Sequence, residues 1–196
     1  MGAEFYLIAL LVLLGALYFV AVPALGAYRK YRGRRIVVCP ETRKNVAVEV
    51  NASIAAASAV VGEPRLRLSD CTRWPERRDC GQECLPQIEM APEDCLVRNI
   101  LTRFFEGKSC AFCGKTFGEI HWPEHQPAII GSDGRTSAVR DIPAEQIPDL
   151  LLTHSPVCWD CHIAETFRRE HPDLVIDWPS RPDREGTPSQ HHQPRA

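Results

Sequence analysis

Neither a glycine-rich phosphate loop nor a nucleophile elbow occurs in the 196 residues, which leaves the common nucleotide-phosphate and acyl-transfer machineries without their loops. Surplus positive charge is missing as well. Lys and Arg total 23 against 25 Asp and Glu, a net charge of −2, and this composition excludes a basic nucleic-acid binder. No Lys or Arg precedes the first apolar run, where Glu4 stands instead; a cleaved secretory leader calls for a positive segment there. Apart from two cysteine pairs there is no internal repeat.

What the chain does have begins with an uncharged run of 23 residues, 5–27. At about 1.5 Å per residue it reaches roughly 34 Å, enough to cross a bilayer with modest tilt. Ala24-Leu25-Gly26 offers a cleavage-like pattern, so a signal peptide is the competing reading, but the run is too long and its flank has the wrong charge. Arg29, Lys30, Arg32, Arg34 and Arg35 follow the run. The positive-inside rule then predicts an extracytoplasmic segment 1–4, a transmembrane helix 5–27 and a cytoplasmic remainder. The basic juxtamembrane segment 28–35 is a topology signal that can also touch anionic headgroups.

Nine cysteines in a reducing compartment argue for metal or redox chemistry over a disulfide framework, and the odd count agrees. Cys110-Ala-Phe-Cys113-Gly114 and Cys158-Trp-Asp-Cys161-His162 lie 44 residues apart. Two such pairs complete a closed tetrahedral site of structural-zinc type. The first pair reads as a turn, with Gly114 letting the backbone curl. The second opens a helix, with Asp160 as cap, Ile163, Ala164 and Phe167 as its apolar face, and His171-Pro172 as its stop. Cys158-x-x-Cys161-His162 also matches c-type haem attachment, with His162 as axial ligand.

Cys39, Cys71, Cys80, Cys84 and Cys95 form a second candidate set. Soft ligands of this kind suit a second zinc or an iron–sulfur cluster, with buried or free thiols as the bland alternative. One of the five is spare, and the spacing does not say which.

Around these sites the pattern predicts strands at 36–39 and 46–50, a short helix at 51–61 stopped by Gly62, and a third strand entering Cys71. Residues 71–84 read as irregular. A helix over 92–106 starts at Pro92 and stops at Gly107, with Cys95 on its polar side. Strands are expected at 117–122, 128–130 and 138–142, with 131–134 as a hairpin tip, and a short helix or strap at 147–152. Trp74, Trp122, Trp159 and Trp178 read as packing. Residues 179–196, which include His191 and His192, read as a disordered tail.

Cys110-x-x-Cys113-Gly114-Lys115, then Gly118-Glu119-Ile120-His121, then Cys158-x-x-Cys161-His162 resembles the zinc-bracketed HNH endonuclease-like treble clef over residues 110–170. The resemblance implies His121 as general base and His162 as ligand for a catalytic ion, with His125 as a substitute ligand if its stretch were helical. Ile120 occupies the place of the first metal ligand, so the implied site is degenerate and the resemblance implies a fold more than an activity. The chain as a whole resembles bacterial membrane-anchored cysteine-rich proteins, which implies no particular chemistry.

The expectation is therefore an α+β protein with a single N-terminal transmembrane helix, a cysteine-rich module at 36–107 and a treble-clef-like zinc module at 108–178. It would be bound to the bacterial inner membrane with its domain in the cytoplasm, and would serve a protein partner as an interaction module. An electron-transfer protein, a thiol redox switch and a residual nuclease are the alternatives.

Overall fold

The computed structural model describes residues 2–77, 79–120, 122 and 126–175. His121, His125, Trp178, His191, His192 and the expected tail lie outside the described residues.

The uncharged run forms one helix, α1 (Gly2–Tyr31), continuous through Pro23. Its stretch Glu4–Tyr31 is long and apolar enough to cross a membrane. The helix outlasts the apolar run by four residues, so Tyr28, Arg29, Lys30 and Tyr31 are helical rather than linker. Its last turn enters the folded domain: Ala27 and Tyr31 are buried. Ala-rich α2 (Ala52–Ala59) packs along α1, where small side chains let two backbones approach closely.

Strands β1 (Arg34–Val38), β2 (Asn45–Val50) and β3 (Leu68–Cys71) form an antiparallel sheet in that order. Ile36 pairs with Ala47 and Val37 with Val46. Because side chains alternate across a strand, the hairpin feeds two cores. Val37, Val46, Val48 and Val50 face α1, α2 and Ile88, while Ile36 and Ala47 face Leu101, Phe105, Ile129, Val139 and Ile147. The second core thus draws on residues from both expected modules.

Two further helices follow, α3 (Leu85–Met90), with Pro86 in its first turn, and α4 (Val97–Phe105). A second antiparallel sheet, in the order β5-β4-β6, comprises β4 (Ala128–Ile130), β5 (Thr136–Ala138) and β6 (Ser155–Val157). Helix α5 (Ile147–Thr153) precedes β6, and α6 (Trp159–Glu170) follows it.

Several expectations need correcting. The helix expected from Pro92 begins at Val97, because the Ile36 N–H binds the Cys95 carbonyl at 2.8 Å and Arg35 bridges Leu96. That pairing holds Leu96 extended at the sheet edge, and Cys95 ends the turn before it, its N–H bound to the Ala91 carbonyl, so Cys95 is not on an α-helix. Gly107, at φ +69°, does stop the helix as expected. Gly62 caps nothing: α2 ends through Val60 in helical geometry, and the Ser58 hydroxyl oxygen accepts from the Arg65 N–H.

Within 117–122 the described residues form no strand, the local pairing being only the Ser109–Thr116 bridge. The strand expected at 138–142 becomes a 3-10 turn, Val139–Asp141, whose Val139 N–H binds the Pro127 carbonyl. The segment expected as a helix or strap at 147–152 is helix α5, with Pro148 in its first turn. Asp160 does not cap α6: Cys158 holds the cap position, and Ile163 and Phe167 are each 47% exposed. Neither α3 nor β6 was expected from the pattern.

Candidate metal centre

Helix α1 ends at a built junction. Gly33 turns the chain at φ +96°, a region open to glycine without strain, and Arg35 then returns its side chain under the helix end. The fully buried guanidinium donates to the carbonyl oxygens of Tyr31 at 2.7 Å, Gly33 at 2.9 Å, Arg32 at 3.4 Å and Lys30. Those of Lys30 and Tyr31 are among the carbonyls that a helix terminus leaves without partners, and those of Arg32 and Gly33 belong to the turn that follows. Burial lowers the pKa of Arg35, and the neighbouring Cys95 and Glu93 oppose that shift. Arg35 thus locks the helix end, while Arg29, Lys30, Arg32 and Arg34 stay exposed. By sequence all five read alike, as a topology signal able also to touch anionic headgroups. The signal that could have separated Arg35 is strand alternation: two residues after Gly33 it adjoins Ile36-Val37, on the opposite face from the exposed Arg34.

Downstream, Cys110 begins a tight turn. Its N–H binds the Lys115 carbonyl at 2.9 Å, its carbonyl accepts from Gly114 at 3.0 Å, and Gly114 takes φ +71°. The Ala111 N–H binds the Pro156 carbonyl at 2.9 Å, fastening the turn to β6, which Cys158 directly follows. The first turn of α6 then delivers Cys158 and Cys161. Ala128 and Val157, both fully buried, floor the group.

As a result the sulfurs of Cys110, Cys113, Cys158 and Cys161 all lie within 4.8 Å of one another, the geometry of a group that could hold a metal ion. Cys113 Sγ and Cys158 Sγ are 3.8 Å apart. Four sulfurs at ~2.3 Å from one tetrahedral ion stand about 3.8 Å apart, whereas a disulfide needs ~2.05 Å. The donor set therefore fits one soft cation.

The electrostatics favour thiolate on the buried member. Burial opposes ionisation of Cys110, but the N–H groups of Cys113, Cys158 and Phe112 outweigh it and bring the thiol down to about 6. The Cys158 N–H donates to Cys110 Sγ at 3.3 Å. Cys158 and Cys161 are raised, first by burial and then by hydrogen bonding among the neighbouring sulfurs. Without a cation the four charges resist coexistence; a bound cation removes that conflict.

His162 lies one residue past the set, but its ring turns aside. Nδ1 is 2.8 Å from the Thr136 hydroxyl on β5, and burial followed by Arg169 lowers its pKa. Trp159 stacks near His162 and under Arg140, while Trp74 and Trp122 pack on the two main cores.

Of the upstream thiols, Cys39, Cys71 and Cys84 are buried in the first core, with Cys80 and Cys95 partly exposed. Cys95 packs against the same core beside Arg35, its thiol directed at the Pro92 carbonyl at 3.5 Å. The sequence reading had also passed over Arg73, whose Nη1 donates to Cys39 Sγ and to Glu41, each at 3.0 Å. Its position two residues after Cys71 was the available signal.

No protein-family model, curated protein or solved structure matches this chain.

Proposed function

We propose that this chain is a single-pass protein of a bacterial cytoplasmic membrane that holds a zinc-built, treble-clef-like interaction module at the inner face. The carrying observation is the convergence of Cys110, Cys113, Cys158 and Cys161 within 4.8 Å. Four thiolates fill a tetrahedral ion's coordination and leave no open position for a reactive water, so the ion's work is structural. The succession of a cysteine turn, a β4–β5 hairpin and a helix carrying two cysteines in its first turn supports the treble-clef reading. Basic residues on the carboxyl side of α1 support the cytoplasmic placement.

An interaction role draws on the half-exposed Ile163 and Phe167 of α6, with Leu174 68% exposed just beyond it. The alternatives fit less well. Haem attachment would convert Cys158 and Cys161 to thioethers and take two sulfurs out of the group. A nuclease would need ligands where Ile120 stands, and His162 is engaged by Thr136.

The test is elemental analysis of the detergent-solubilised chain together with reporter fusions at its carboxyl end. About one zinc per chain at the Cys110 group and a cytoplasmic reporter signal support the reading. Absence of zinc, or a reporter active outside the cell, overturns it.

A further inference from the structure

Four of the five upstream thiols, Cys39, Cys71, Cys80 and Cys84, line a single cavity of about 300 Å3 from which Cys95 is absent. They come from separate places in the chain: the residue after β1, the last residue of β3, the loop beyond it, and the residue that opens α3. Bringing them together takes the whole first sheet.

Two of the sulfurs also meet N–H donors. Cys39 receives the Arg73 guanidinium at 3.0 Å together with the backbone N–H groups of Thr42 and Glu41. Cys80 receives the Gln82 N–H at 3.4 Å, while at Cys71 and Cys84 burial dominates and raises the thiols, Cys84 to about 11, so neither ionises readily without a bound metal. Donors aimed at sulfur stabilise thiolate and are the usual surroundings of cysteine-ligated clusters. Arg73 and Arg77, both paired with Glu41, line the same walls with Glu83, so the formal charge of the lining balances and Arg73 is the cation that touches a sulfur.

The spacing separates this set from the Cys110 group. Among the described residues the Cys110 group is the one whose ligand atoms close to within 4.8 Å; the upstream sulfurs surround a cavity instead. One ion draws four thiolates together, whereas in a four-iron cluster each thiolate binds its own iron and the four stand wider apart. The space is about ten times the ~30 Å3 share of one water, far more than one enclosed ion needs. We propose that Cys39, Cys71, Cys80 and Cys84 ligate an iron–sulfur cluster of the [4Fe–4S] class, and that Cys95 is the spare thiol.

The experiment uses the full-length chain in detergent, purified anaerobically and reconstituted with equal amounts of ferrous and ferric iron and with sulfide, which balances the two-ferric, two-ferrous core. Iron, acid-labile sulfide and zinc are quantified and the visible spectrum is recorded. The expected result is about four irons and four sulfides per chain with a broad visible absorption, alongside retained zinc. Cys80→Ser, chosen because Cys80 is only partly buried, is expected to lose most of the iron and the visible band. Cys95→Ala is expected to keep both. Zinc retained at the Cys110 group in each variant reports that the fold survives, and it also keeps failure of this site distinct from failure of the zinc reading. Reconstituted wild type with less than about half an iron per chain overturns the proposal. So do a second zinc with no visible band, and a Cys95→Ala variant that loses iron as fully as Cys80→Ser.

Discussion

The Nη1 of Arg35 donates to the carbonyl oxygen of Tyr31 at 2.7 Å, so the first strand of the domain closes the last turn of the membrane-length helix. Backbone N–H groups cannot do this, because the helix ends there and Gly33 has turned the chain away. A planar fork with several donors suits a fan of carbonyls. The helix and the domain thereby become one mechanical unit instead of two parts on a loose tether.

Arg35→Ala leaves buried carbonyl oxygens without donors and is expected to cost about 2–3 kcal/mol. Arg35→Lys should recover less than half of that, since an ammonium on a flexible stem cannot reproduce the fork. Urea unfolding of the detergent-solubilised chain, followed by tryptophan fluorescence, measures both. A loss under ~0.5 kcal/mol for Arg35→Ala would show that the cap contributes little.

Gly33→Ala probes the same junction through the backbone. At φ +96° an L side chain is strained, and its Cβ would meet Leu96 Cδ1 at 3.2 Å. A cost of about 1–2 kcal/mol is expected, read by the same unfolding curves. Gly62→Ala is the control: nothing lies within 4 Å of its Cβ and its φ is ordinary, so it should be close to neutral.

Phe105 is fully buried in a core shared by Ile36 and Ala47 of the first sheet and Ile129 and Val139 beyond the cysteine turn. Its ring lies 5.0 Å from that of Phe117. Phe105→Ala is expected to cost about 3–5 kcal/mol. Because the core joins segments 36–107 and 108–175, wild type and variant should each unfold in one transition, with hydrogen exchange in β2 and β4 collapsing at the same denaturant concentration. Separate transitions for the two strands would contradict a shared core.

The sequence made some of this legible for definite reasons. Residues 5–27 and the β1–β2 hairpin carry long, regular apolar patterns, and each cysteine pair is local, so periodicity and spacing suffice. Other features depend on partners distant in sequence. Leu96 is held at the sheet edge by Arg35, a pairing that overrides the helix-start signal at Pro92. Strand β6 is three residues long and contains Pro156, which demotes it by pattern; it exists because β4 offers its edge. Among the upstream thiols, the spare one cannot be found by counting, because membership is decided by which side of the first sheet each loop returns to.

The Cys110 group makes the sharpest demand on metal. Its four sulfurs sit within 4.8 Å, and the Cys158 N–H, Gly114 and Pro156 hold the turn and the helix start against each other. In the absence of a cation, burial and mutual repulsion oppose four thiolates, so the arrangement stabilises the fold only when loaded. A strong chelator should therefore lower stability, and it should first expose residues 108–116 and the first turn of α6 to proteolysis. Cys161→Ser is expected to weaken zinc retention at least tenfold, a loss of about 1.4 kcal/mol or more, and to reproduce the chelator's cleavage pattern without chelator. Cys95→Ser should leave both readouts at wild type, because its thiol lies beside Pro92, outside the group. If chelator leaves the cleavage pattern unchanged while removing all zinc, packing by Ala128 and Val157 alone holds the turn, and the ion is not structural.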